Sequence, residues 1–185
     1  MSLKVEKTPL EGLLLMVPQS FEDARGYLAE TYHAEKYLRF GMDRDFTQDN
    51  QSYSVKGVLR GLHAQLKQPQ AKLVRAVTGE VFDVAVDARP HSPTFGRWHG
   101  DILTGANLKQ FFIPEGFLHG FCVLSESAIL HYKCSALYRP DDQWGVLWND
   151  PDLDIQWPVE KPVLSEKDLQ NMAWKKFKEA LGEVH

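Results

Sequence analysis

Short apolar runs, each closed off by turn-forming residues, recur along this chain and constrain its fold more than any other feature. They are LLLMV (13–17), GYLAETYH (26–33), GVLRGLHAQ (57–65), KLVRAV (72–77), EVFDVAV (80–86), KQFFI (109–113), GFCVL (120–124) and ILHYKCSALY (129–138). Runs of this length, rich in Val, Ile, Phe, Tyr and Leu with few helical stretches between them, predict an antiparallel β-sandwich or barrel. Two segments carry helical spacing instead. HAEKYLRFG (33–41) places Ala34, Tyr37 and Leu38 on one side and ends on Gly41. The tail opens with Ser165 and Asp168 in a capping-box arrangement, then repeats Leu169, Met172, Ala173 and Lys176, which predicts a helix over about 166–181. No internal repeat or Pro/Gly-rich linker divides the 185 residues, so one domain spanning 1–185 is expected, with RPHSPTFG (89–96) and NDPDLDIQWPVEKP (149–162) as ordered surface loops.

Charge narrows the function. Lys and Arg total 21 against 25 acids, a net charge of −4, which argues against a nucleic-acid binder. An anionic ligand must then be met by a few placed cations. The longest early apolar run, 13–17, is far short of the ~20 residues that span a bilayer, so no membrane association is expected. Cys122 and Cys134 sit in apolar runs without metal-type spacing and are expected to be buried, reduced thiols of a cytoplasmic protein.

Three clusters hold residues with chemical potential. In KGVLRGLHAQ and the following strand, Arg60, His63 and Lys72 stand among Val58, Leu59, Leu62, Leu73 and Val74, where a buried charge is costly without a partner or a function. Strict alternation would put Arg60 and His63 on opposite faces, so a shared site requires a bulge, which Gly61 permits. IPEGFLHGF makes a turn at Pro114 and Gly116 and then brings His119 into an apolar strand. In AILHYKCSALY, alternation places Ala128, Leu130, Tyr132, Cys134, Ala136 and Tyr138 on one face, so both phenols are expected to point into a core or cavity.

The spacing of Gly57 to His63 and of Pro114, Gly116 and His119 resembles the two motifs of cupins, which implies a mainly β fold: a cupin-like jelly-roll antiparallel β-barrel with a few short helices and a C-terminal helix. Metal-binding cupins supply His-x-His and a nearby Glu, whereas here Gln65 takes the second position and no acid follows before Glu80. One imidazole per motif is too few for the usual three or four ligands, so no metal is expected.

Read in order, GVLRGLH, GEVFDVAVD, SPTFG, IPEGFLHGF, WNDPDLDIQWP and LSEKD resemble the dTDP-4-dehydrorhamnose 3,5-epimerases over about Val5 to Asp168. That family inverts C3 and C5 of a thymidine-diphosphate 4-keto-6-deoxyhexose. Both carbons are α to the C4 ketone, so the resemblance implies enolate chemistry without a cofactor. It implies His63 as general base, Asp168 as its orienting partner, Lys72 and Arg60 facing the enolate oxygen, and Tyr132 as the acid on the opposite face, with Tyr138 the alternative donor or a substrate-positioning group. Substrate-binding positions map onto Arg25, Glu30, Gln48, Asp49, Asn50, His119 and Lys167, and Tyr27 is placed to stack on thymine. Gln143 stands where the family commonly has Glu. The resemblance further implies a homodimer in which N-terminal strands and side chains such as Arg25 or Glu30 cross to the partner's site. A C3-only or C5-only epimerase, a 3,4-ketoisomerase and a non-catalytic sugar-nucleotide-binding cupin are the competing expectations.

Overall fold

The apolar runs become strands because each finds a partner in a sheet. A computed structural model describes residues 2–184. In chain order its strands are β1 (Leu3–Lys7), β2 (Leu14–Pro18), β3 (Ser20–Asp23), β4 (Gly26–Ala29), β5 (Gln48–Val55), β6 (Leu59–Gln65), β7 (Lys72–Thr78), β8 (Glu80–Asp87), β9 (Trp98–Thr104), β10 (Gln110–Ile113), β11 (Phe117–Val123), β12 (Ser127–Cys134) and β13 (Gln143–Gly145). Helices α1 (Ala34–Leu38), α2 (Glu166–Leu169) and α3 (Trp174–Val184) complete it.

The strands form a six-stranded sheet in the order β1-β2-β10-β7-β12-β5, a five-stranded sheet in the order β13-β6-β11-β8-β9, and the separate β3-β4 hairpin. Every strand pair is antiparallel. Val74, Ala76, Phe111, Ile113, Ala128 and Leu130 of the larger sheet pack against Val81, Ala85, Leu103, Phe117, Phe121 and Val123 of the smaller one, so the main core lies between them. Each sheet is also covered outside. Leu62, Ala64, Val84, Val86 and Leu118 lie under Trp174, Phe177 and Leu181 of α3, and Met16, Leu73 and Phe112 lie under Tyr37 of α1 and Met42. Double coverage explains why β11 is buried along its whole length and shows no polar alternation.

The antiparallel β architecture agrees with the sequence, but the barrel does not close. Edge strands β5 and β13 are not hydrogen-bonded across the sheets; instead their side chains line one cavity, and the molecule is a two-sheet sandwich. The expected helix over 166–181 is likewise corrected to two helices. Between α2 and α3, the backbone of Met172 bonds to Gly145 and Leu147 (3.1 and 3.0 Å), and Asp150 accepts the Trp174 N–H at 2.8 Å, restarting the helix there. The buried stripe therefore runs through Trp174, Phe177 and Leu181, while Leu169 is 61% exposed. Both predicted loops are ordered by side chains: Asp87 receives Arg89, Ser92 and Thr94, and the Trp157 indole donates to the Trp148 carbonyl and packs edge-on against Phe82. Among the described residues no helix is long and apolar enough to cross a membrane.

Candidate active site

The register of β6 against β11 sets the site. His63 lies directly opposite His119, but the next pair is Arg60 opposite Phe121. Gly61 and Leu62 thus stand against Gly120 alone, a bulge of the kind the sequence required. Gly61 has φ +110°, and a Cβ there would sit 2.6 Å from both Gly120 Cα and the His119 carbonyl oxygen. Only glycine fits. The bulge returns Arg60 to the same side as His63, and both line one cavity.

That cavity has two adjoining lobes of about 300 Å³ each, which share His63, Lys72, Tyr132, Tyr138 and Gln143. Toward the edge of β5 the lining continues with Gln48, Asn50, Gln65, Gln70 and Cys134. On the other side come Ser52, Arg60, His119, Ser165, Lys167 and Asp168. The tail folds back over the mouth, as a role for Asp168 demanded. His63 Nε2 lies 2.6 Å from Asp168 Oδ1 as a close ion-pair contact, without the alignment of a hydrogen bond to this or any other partner. Ser165 caps this helix: its hydroxyl accepts the Asp168 N–H at 3.1 Å and donates to Asp168 Oδ2 at 2.8 Å. Burial acts to raise the Asp168 pKa, but His63, Ser165 and the Gly61 backbone outweigh it and leave the carboxyl below its ordinary value.

A second histidine–carboxylate pair lies beside the first. His119 Nε2 approaches Asp83 Oδ1 and Oδ2 at 3.0 and 3.1 Å, and Asp83 is fully buried on β8. Burial lowers the pKa of His119 against the opposing pull of Asp83. Burial also lowers that of Lys72, opposed by Cys134 and Asp83, and raises that of the Tyr132 phenol. A neutral, proton-bearing phenol and a partly desolvated ammonium thus face the same space as His63.

Tyr138 lies beyond the end of β12. Its hydroxyl donates to Gln143 Oε1 at 2.5 Å, and Lys167 Nζ donates to the same oxygen at 2.7 Å. Its N–H bonds to Gln48 Oε1 at 2.8 Å. Gln65 is held by the backbone of Gln68, Leu137 and Arg139, so it braces a turn where a metal-binding cupin has a ligand. Among the described residues no group of three or more His, Cys, Asp or Glu side chains is placed to hold a metal ion.

Some sequence-predicted residues lie elsewhere. Arg25 is in the β3-β4 turn, paired with Asp23 with its side chain 90% exposed; Tyr27 is exposed on β4, and Glu30 pairs with Lys36 at 2.5 Å. Asp49 is on the opposite face of β5 from Gln48 and Asn50, bonded to Lys133 at 3.0 Å. The cavity also holds residues that sequence reasoning did not single out. Ser52 continues the polar period-two face of Gln48 and Asn50 on β5, a readable signal. Asp83 shares a face of β8 with Val81 and Ala85, an acid on an apolar strand face, the same signal that exposed Lys72.

A family model described as dTDP-4-dehydrorhamnose 3,5-epimerase matches residues 7–176. A dTDP-4-dehydrorhamnose 3,5-epimerase of Methanothermobacter thermautotrophicus is 48% identical over 176 residues, 94% of each chain. A dTDP-4-dehydrorhamnose 3-epimerase of Streptomyces niveus is 38% identical over 168 residues, 90% of this chain and 81% of that one. Among solved structures, the dTDP-6-deoxy-D-glucose-3,5-epimerase of Legionella pneumophila in complex with dTDP-4-keto-L-rhamnose superposes with a TM-score of 0.94 at 44% identity, covering 97% of both chains. With a bulge-built histidine–aspartate pair at the mouth of a two-sheet sandwich and matches that run nearly end to end, the chain belongs to the dTDP-4-dehydrorhamnose 3,5-epimerase family.

Proposed function

We propose that this chain inverts C3 and C5 of dTDP-4-dehydro-6-deoxy-D-glucose, yielding dTDP-4-dehydro-L-rhamnose for dTDP-L-rhamnose synthesis, with His63 as base and Tyr132 as acid. The observation that carries the reading is the convergence of His63, backed by Asp168 at 2.6 Å, with Tyr132, Lys72 and Arg60 on one cavity. With Nε2 held by Asp168, Nδ1 is the ring nitrogen that takes the proton from the carbon α to the ketone, and the carboxylate stabilises the resulting imidazolium. The electron pair of the broken C–H bond moves into the C4 carbonyl. Lys72 and Arg60 donate to the developing oxyanion, each such donor contributing on the order of 3 kcal/mol. Tyr132 then returns its O–H proton to the same carbon from the opposite face. His63 must lose its proton and the Tyr132 phenolate regain one before the second carbon reacts. Acid–base groups suffice for this sequence, so it calls on no metal or organic cofactor.

Gln48, Asn50, His119, Tyr138, Gln143 and Lys167 bind the sugar nucleotide, and Tyr138 serves as a positioning group because its hydroxyl is committed to Gln143. Arg25, Tyr27, Glu30 and Asp49 do not line the cavity of their own chain. We assign Arg25, Tyr27 and Glu30 to the partner's cavity in a cytoplasmic homodimer, a reading supported by the exposed Phe21, Tyr27 and Leu28 of the β3-β4 hairpin and by the free, buried Cys122 and Cys134.

The test is conversion of dTDP-4-keto-6-deoxyglucose in deuterated water, coupled to a reductase and followed by NMR. Deuterium and inversion at both carbons are expected. Inversion at one carbon only would show a mono-epimerase like the Streptomyces niveus relative, and a 3-keto product would show a ketoisomerase. Substrate binding that His63→Ala leaves intact, with no turnover by either protein, would reduce the chain to a binding module.

A further inference from the structure

The cavity holds Arg60, His63, Lys72, His119 and Lys167, yet only one of the carboxylates around it, Asp168, lies on its surface. The second, Asp83, touches neither lobe. It sits on β8 beneath His119, fully buried, with both oxygens turned to the single nitrogen Nε2 at 3.0 and 3.1 Å and with His119 as its hydrogen-bonded side-chain partner. Lys72 is close enough to interact with it through charge. A carboxylate buried this deeply is costly unless its charge is used.

We propose that Asp83 is a positioning residue for the epimerisation, fixing the His119 ring with its Nε2 proton pointing inward and Nδ1 turned to the substrate, and supplying the buried negative charge that lets His119 meet a developing oxyanion beside Lys72. This rests on the epimerase reading. The argument is one of donors and acceptors. Facing a carboxylate, Nε2 must carry the proton, so Nδ1 is the nitrogen left for a ligand. As negative charge grows on the C4 oxygen, His119 takes up a second proton from solvent at Nδ1, where Asp83 stabilises the imidazolium and the new N–H donates to the oxyanion. The groups facing His119 from neighbouring strands are Asp83 on β8, Lys72 on β7 and His63 on β6. Of these only Asp83 favours the imidazolium. Because His63 and His119 are direct cross-strand partners, the two histidine–aspartate pairs form adjacent units of one site, one removing the proton and the other receiving the charge.

Asp83→Asn keeps the shape and removes the charge. It should lower kcat by about tenfold or more while leaving the Kd for dTDP within about twofold of wild type, and the His119 imidazole should protonate at lower pH in an NMR titration. In a double-mutant cycle with His119→Gln, the double variant should be no slower than His119→Gln alone, since Asp83 acts through that ring. An unchanged kcat in Asp83→Asn, or losses that multiply in the double variant, would overturn the proposal. Should Asp83→Asn fail to fold, the ¹⁵N spectrum of wild-type His119 decides: a proton on Nε2 supports the assignment and a proton on Nδ1 refutes it. That spectrum does not depend on turnover, so a wild-type protein inactive on the ketosugar would overturn the epimerase reading separately.

Discussion

Inversion at carbon requires a base and an acid on opposite faces of one ring, and that requirement separates His63 from Tyr132 experimentally. On the proposed mechanism, Tyr132→Phe removes the returning proton but leaves the base, so it should still exchange the α-proton with deuterated water while net inversion falls about a hundred- to ten-thousand-fold. Equal losses of exchange and inversion would mean that the phenol acts earlier, and a wild-type rate would remove it from the mechanism. The pH dependence of the Asp168 pairing follows from its lowered pKa. Because that carboxyl titrates lower folded than unfolded, its contribution is complete above the unfolded value and is lost as pH falls through the folded one. Asp168→Asn should therefore cost stability at neutral pH and almost none once the pH is below the folded value, checked by urea unfolding of both proteins across pH. The residues behind this chemistry were legible because charges in apolar strands are expensive: Arg60, His63 and Lys72 stood out on that ground. Asp168 was less legible. Its role depends on a tail that returns to β6 from a distant part of the chain, and local sequence shows only its capping bonds with Ser165.

Elements convert those residues into a site, and the bulge in β6 does so most directly. Gly61→Ala would place a methyl 2.6 Å from the backbone of β11, at a φ of +110° that disfavours any side chain. It should destabilise the protein by at least about 2 kcal/mol and, in whatever remains folded, reduce turnover by moving Arg60 relative to His63. Urea unfolding and kcat on the soluble fraction report the two effects. The loop after β8 carries a separate prediction. Asp87 is held to a pKa of about 2: burial acts to raise it, but the bonds from Arg89, Ser92 and Thr94 prevail. Since the folded value lies below the unfolded one, its stabilisation of about 2 kcal/mol is present above about pH 4 and vanishes as pH falls toward 2. Asp87→Asn should lose that amount in urea melts at neutral pH and almost nothing near pH 2. The runs of Val, Ile, Phe and Tyr announced most of the sheets, but β5 was not legible as a strand. QDNQSYSV lacks apolar alternation because its inner face borders a cavity lined by polar side chains rather than the core. The broken tail was hidden for a related reason: Asp150, far back in the sequence, supplies the cap that restarts α3.

At the scale of the molecule, a chain with net charge −4 gathers Arg60, Lys72 and Lys167 from three separated segments into one cavity, which on the proposed function meets a doubly anionic sugar nucleotide. The fourth cation assigned by the family resemblance, Arg25, is outside that cavity on a hairpin that projects exposed Phe21, Tyr27 and Leu28. If that hairpin completes a neighbour's site, each active site contains His63 from one chain and Arg25 from the other. Complementation follows from two-fold symmetry. Arg25→Ala and His63→Ala should each be strongly impaired alone. In a mixed dimer, the site with His63 intact receives Arg25 from the His63→Ala chain, whereas the other site lacks both. Random reassociation of equal amounts makes about half the dimers mixed, with one competent site of two, so activity should return to about one quarter of wild type. Mass measurement in solution establishes whether dimers form, and the mixing assay is read only after reversible dissociation has been shown with the wild-type protein. Activity that stays at the mean of the two variants would place Arg25 outside the partner's site and leave the diphosphate to the cations of a single chain.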